Sequence, residues 1–237
     1  MNVFDIVIIL LILTFGILGW KKGVIKEAIS LVGIIVVFVL AFTFKEELGN
    51  VLCKYFPIFQ FSGSIKGLVS LNVLIYQVLA FFIIYSVLYA VYAIVFKATS
   101  LIQKLLNMTI VFVIPSKIAG AIVGLIKGYV VIFVALLVIV GPCKNLGFKI
   151  ESKAIDSILY KTPILSSYTS DLTNAATDIY ELAADLTTEK LDVNEANKQI
   201  IDTMLKYNLV SKKTIEQLIV LEKLDKVKGL ASIIEKY

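Results

Sequence analysis

From Val3 to Trp20 the chain runs through eighteen positions whose only polar side chains are Asp5 and Thr14. A bilayer core takes about 20 apolar residues in helical form, and three further stretches of the same kind follow: Ala28–Phe44, Val73–Phe96 and Ile118–Cys143. With 59% hydrophobic residues and a mean hydropathy of +0.90, there is too much apolar surface for a soluble globule to hide. The expected fold is all-α, a polytopic integral membrane protein of four transmembrane helices in two hairpins with a C-terminal helical tail. Disorder is excluded by the same composition.

Residues 1–143 hold ten lysines and four acids, and residues 144–237 thirteen lysines and fourteen acids. The first part is apolar and net basic, while the second has ordinary soluble composition. The expected division is a membrane domain over 1–145 and a soluble or membrane-associated helical tail over 146–237. The excess positive charge therefore belongs to the membrane part and points to the bilayer and its anionic headgroups as partner. It does not point to nucleic acid, because the tail is not basic.

Local signals mark the ends of the spans. Asp5 in the first turn suits the positive end of a helix dipole. Trp20-Lys21-Lys22 reads as an interfacial stop. Met1-Asn2 lacks the basic start of a signal peptide and no A-x-A site follows, so the first span reads as retained. Lys45-Glu46-Glu47 reads as the close of the second span, and Pro142 with Lys144 as the close of the fourth. Val51–Phe61 and Met108–Ile114 are too short or too broken to cross, and read as interfacial pieces. The lysines after the first helix place that turn in the cytoplasm and both termini outside.

In the tail, Pro163 should break an early helix. Asp192 with Glu195 resembles a capping box for a helix through Tyr207, and Ser211 can cap the next. Val227 to Ile234 reads as a last short amphipathic piece.

Two stretches share the pattern G-x-x-x-G-[VL]-I-K: Gly19 to Lys26, and Gly120 to Lys127. A duplicated hairpin would leave such a repeat, and so would chance in an Ile- and Gly-rich chain. Gly120, Gly124 and Gly128 recur every four residues and share one helix face with Lys127. Small residues let a second backbone approach. Gly19, Gly23 and this trio are therefore candidate packing positions, either among the four helices or at a dimer seam. Lys127 is ionisable inside a span, and Glu27 is its candidate partner in an intramembrane ion pair. Snorkelling to the surface and a proton or substrate relay are the other readings.

These residues also carry a family resemblance. Asp5-Ile6-Val7-Ile8-Ile9, Gly23 through Leu31, and Gly120 through Gly128 resemble the two anchors of the colicin V production (CvpA) family, over about residues 1–145. The resemblance implies a four-helix bacterial inner-membrane protein linked to production or export of a secreted peptide toxin and to envelope homeostasis. Some relatives carry an extracytoplasmic protease after the same spans; the tail here has no such signature. No catalytic or binding residues come with the resemblance.

Chemistry is sparse. Histidine is absent and every basic residue is lysine, which removes His-based catalysis, the usual transition-metal sites and guanidinium forks. No cofactor or metal is expected. A Ser-Lys dyad of Ser30 with Lys127 is the one common nucleophile arrangement left, and it needs a neutral amine. The expected role is that of a non-enzymatic accessory protein. The alternative is a small oligomeric transporter or channel subunit using the Lys127 face. Partners would be a second copy or the export or envelope machinery. Cys53 and Cys143 fall on one side of the membrane in a four-span topology. They could form a disulfide there, or stay as two small buried hydrophobes.

Overall fold

The computed structural model describes residues 2–106, 113–145, 152–162, 165–188 and 190–237, with side chains for all of these except 64, 98–106, 113, 138–145, 165–169 and 187. Among the described residues it is all-helical: α1 (Val3–Lys22), α2 (Val24–Tyr55), a 3-10 turn at Gly63–Ile65, α3 (Ser70–Leu106), α4 (Val113–Asn145), α5 (Lys153–Tyr160), α6 (Leu165–Thr187), α7 (Val193–Lys206), α8 (Lys212–Val220) and α9 (Ala231–Ile234). Four helices are long and apolar enough to cross a membrane, over Val3–Lys22, Val24–Tyr55, Ser70–Lys97 and Ile114–Leu137. At most 33% of any of these apolar windows is buried within the protein. The remaining apolar surface requires lipid, since water would penalise it by about 25 cal/mol per Å².

The chain forms two compact units, Met1–Val39 with Val87–Ser170, and Leu40–Ser86 with Asp171–Tyr237. This division differs from the compositional boundary at 145. The tail is shared: α5 belongs to the first unit, and α7 to α9 to the second.

In the first unit, α1 and α4 pack antiparallel. Gly23 meets Gly120 near one end, and Ile8 clusters with Ile132 and Phe133 toward the other. Ile155, Ile158 and Leu159 of α5 complete that cluster. Asp5 fixes the arrangement by capping two helices. As the third residue of α1 it accepts from the Asn2 amide at 2.8 Å in a capping box. Its other oxygen accepts from Ser152 Oγ at 2.5 Å and the Ala154 amide at 3.0 Å, at the start of α5. The dipole role expected of Asp5 is therefore filled twice.

In the second unit, α7 and α8 build a dry core on the ends of α2 and α3. Ile200, Ile201, Met204, Ile215 and Leu218 are completely buried, together with Leu68, and Cys53, Val73 and Tyr76 join them. Burying each such side chain contributes about 1.5–3 kcal/mol. The periodicity and caps expected of the tail are present: Asp192 accepts from the Asn194 amide at 2.9 Å, and Ser211 from the Thr214 amide at 3.3 Å. Glu195 departs from the expected box. It turns forward to Lys198 at 2.9 Å and Gln199 at 3.3 Å, whose hydrogen bonds hold its carboxyl below the usual range. Gly229, with φ +79°, turns the chain before α9. Pro163 lies outside the described residues, between α5 and α6.

Lys45-Glu46-Glu47 follows the apolar part of the second span, and the helix itself continues past these charges to Tyr55. At 1.5 Å per residue its 32 residues reach about 48 Å, well beyond a ~30 Å core. The charges also dock the tail. Lys45 Nζ donates to the Leu209 carbonyl at 3.1 Å, just past the C-terminus of α7. Glu46 accepts from Ser211 Oγ, from the Ser211 amide at 3.2 Å and from Thr214 Oγ1 at 2.7 Å, at the N-terminus of α8. Each charge thus meets the helix end of opposite polarity. One segment reading is corrected: Val51–Phe61 is not a separate piece. Its first five residues are the last turn and more of α2. The rest is tied back by Tyr76 Oη to the Pro57 carbonyl at 2.6 Å and by the Phe59 amide to Asn72 Oδ1 at 2.7 Å. Met108–Phe112 of the other short piece lie outside the described residues, and Ile114 is already in α4.

One side chain holds α7 to the start of α3. Asn197 is buried. Its Oδ1 accepts from the Ser70 amide and Ser70 Oγ, both at 2.8 Å, and its Nδ2 donates to the carbonyls of Gly67 at 2.9 Å and Val193 at 2.8 Å. Asn197→Leu keeps the approximate volume and strands these groups. It is expected to cost about 1–3 kcal/mol. Faster proteolysis of the tail at unchanged expression would report it, and parent-like resistance would refute the latch.

Candidate functional site

Gly23 is the only residue between α1 and α2. Its φ of +77° is open to glycine and strained for other residues. Its amide donates to the Gly19 carbonyl at 2.9 Å, and its own carbonyl accepts from the Glu27 amide at 3.1 Å. One residue therefore ends the first span and starts the second, and places Glu27 in the first turn of α2, where a carboxylate suits the helix dipole.

The two copies of the glycine pattern pack against each other. A Cβ on Gly120 would sit 2.5 Å from the Gly19 carbonyl oxygen and 2.9 Å from the Gly23 Cα. One on Gly124 would meet the Phe15 carbonyl and, at 3.1 Å, the Gly19 Cα. Gly128 faces the Phe15 ring. The trio on α4 thus faces α1, and the packing is among helices of one chain. The copies differ in backbone: the first is broken at Gly23, while the second runs unbroken inside α4, seven residues past its start. What they share is the steric demand of a close crossing.

This crossing brings Lys127 into the interior. Its ammonium forms an ion pair with Glu27, donates to Ser30 Oγ at 3.1 Å and lies 5.6 Å from the centre of the Phe15 ring. Both charged residues are buried, Glu27 completely. The other Glu27 oxygen lies 3.6 Å from Lys22 Nζ, which is partly exposed. A buried pair needs further partners for its polar atoms; here Ser30 accepts from the lysine, and Lys22 adds a second positive charge beside the carboxylate. Ser30 accepts from Lys127, and the ammonium is committed to Glu27. That is the reverse of what a Ser-Lys nucleophile needs. Sequence reasoning named Glu27, Lys127 and Ser30 but missed Lys22, which reads as an interfacial stop. The signal for it was its position five residues before Glu27, across a one-residue turn.

Cys53 is buried in the core of the second unit. The side chain of Cys143, the other end of the expected disulfide, lies outside the described residues.

A family model, that of the colicin V production protein, matches residues 4–162. The chain belongs to this family. No curated protein and no solved structure matches it. The matched stretch runs past the expected limit near 145 and takes in α5, whose apolar face packs on α1 and α4. It stops before α6, so the tail helices α6 to α9 lie outside it. This colicin V production family protein is a multi-pass membrane protein, and its glycine seam and Lys22–Glu27–Lys127 cluster fall inside the matched stretch.

Proposed function

We propose that this protein is a non-enzymatic accessory component of the bacterial inner membrane, supporting the production or export of a secreted peptide toxin or the upkeep of the envelope. The family match over α1 to α5 carries the reading. The buried charges support it: Lys127 is closed in by Glu27, Ser30 and Phe15, as a structural pair would be. A small oligomeric transporter or channel subunit would need that lysine on an open path. Partners in this role are export or envelope proteins, with a homo-oligomer as a further possibility, and no nucleic acid. Deleting the coding sequence in its native host is the test. The expected result is loss of a secreted peptide from the medium, or a leaky envelope, restored by the parent chain. Unchanged secretion and an intact envelope would overturn the reading.

Both termini are placed outside the cytoplasm in this proposal, because Lys21, Lys22 and Lys26 favour a cytoplasmic turn after α1. Val220 on α8 is 81% exposed and suits a reporter. A Val220→Cys chain with Cys53 and Cys143 replaced by Ala should react with a membrane-impermeant maleimide on intact cells. Reaction only after the cells are opened would reverse the orientation.

A further inference from the structure

The end of the first unit where α1 turns into α2 is cationic and bordered by apolar surface. Lys21, Lys22 and Lys26 flank Gly23. The Val24 amide donates to Ser116 Oγ at 3.3 Å, which brings Lys117 of α4 to the same turn. Lys26 Nζ lies 5.5 Å from the centre of the Phe96 ring, which brings Lys97 of α3 there as well. Among the described residues of this unit the acids are Asp5, Glu27 and Asp156. Asp5 and Asp156 belong to the other end, with α5. Glu27 is wholly buried and taken up by Lys127 and Lys22. No described carboxylate at this end is exposed to offset the lysines.

Beside these lysines lie exposed apolar side chains: Trp20 next to Lys21, Ile25 next to Lys26, Val95 near Lys97 and Ile118 next to Lys117. A molecule that satisfies both features is anionic at its head and apolar behind it. We propose that this lysine ring binds the phosphate headgroup of an anionic phospholipid, with the acyl chains along Trp20, Ile25, Val95 and Ile118. Lysine is a point charge and lacks the planar fork that reads phosphate shape. Selection is therefore by charge, and phosphatidylglycerol suffices as probe.

Trp20 is the single tryptophan, so its fluorescence reports this site alone. The full chain is reconstituted in bilayers, and quenching of Trp20 by acyl-brominated phosphatidylglycerol is compared with quenching by acyl-brominated phosphatidylcholine. The expected result is about a fivefold preference for the anionic lipid, as one lysine at a charged surface supplies. It should fall toward parity in about 1 M salt, where the Debye length is near 3 Å. Equal quenching by the two lipids overturns the proposal. Exchanging chloride for inorganic phosphate at fixed ionic strength should leave the preference intact; its loss would assign the ring to free phosphate instead. In Lys21→Gln/Lys26→Gln/Lys117→Gln, which spares Lys22 and its ion pair, the preference should disappear while the melting temperature holds. Retention of the preference would place the lipid elsewhere. The salt dependence of the parent chain decides the matter without any substitution.

Discussion

Glu27→Gln is expected to destabilise the protein by about 3–5 kcal/mol, because it strands the Lys127 ammonium in a site cut off from water. Lys127→Met should cost less. It leaves the Glu27 carboxylate its 3.6 Å contact with Lys22, which is partly exposed and can follow it. The double variant should recover part of the larger loss, since no buried charge is then left without its opposite. Thermal unfolding of the four proteins in detergent gives the cycle. Strictly additive losses would mean that the two side chains do not interact, and would leave Lys127 snorkelling to the surface.

The second large effect belongs to the glycine seam. Gly124→Leu puts a side chain where the Phe15 carbonyl and the Gly19 Cα already stand. Those atoms are backbone and cannot rotate aside, so α1 and α4 must separate. Overpacking typically costs about 1–3 kcal/mol, and losing the crossing also weakens the placement of Lys127. Alanine at two positions sharpens the test. Gly128→Ala brings its new methyl group 2.7 Å from Phe15 Cβ, an atom that turning the ring does not move. It should therefore lower the melting temperature as Gly124→Ala does. Equal melting temperatures for the parent and Gly124→Leu would show that the helices do not approach this closely.

What the sequence reveals divides by distance along the chain. The four apolar windows, the Asp5 box, and the Asp192 and Ser211 caps are local and legible, because hydropathy, periodicity and capping act within a few residues. The pairing of Glu27 with Lys127 was also accessible, because a charge inside a span is expensive and must find its opposite. The docking role of Lys45 and Glu46 was not legible. Charged residues after an apolar run mark a helix leaving the bilayer, and here their partners Leu209 and Ser211 are 164 and 165 residues away. Nothing near Lys45 announces them. The glycine faces were legible as close-packing surfaces. That α1 fills the one on α4 follows only from the antiparallel geometry.

The second unit also has a history in time. Ser70 and the Asn197 that caps it are separated by 127 residues. At a synthesis rate of about 5–20 residues per second, the start of α3 precedes its cover by roughly 6 to 25 s. During that interval Leu68, Val73 and Tyr76 have been made while Ile200, Ile201 and Ile215, which will bury them, have not. Apolar side chains without their cover attract whatever else is apolar nearby. A nascent chain of this design therefore depends on the bilayer surface or a chaperone to occupy that patch until α7 and α8 arrive.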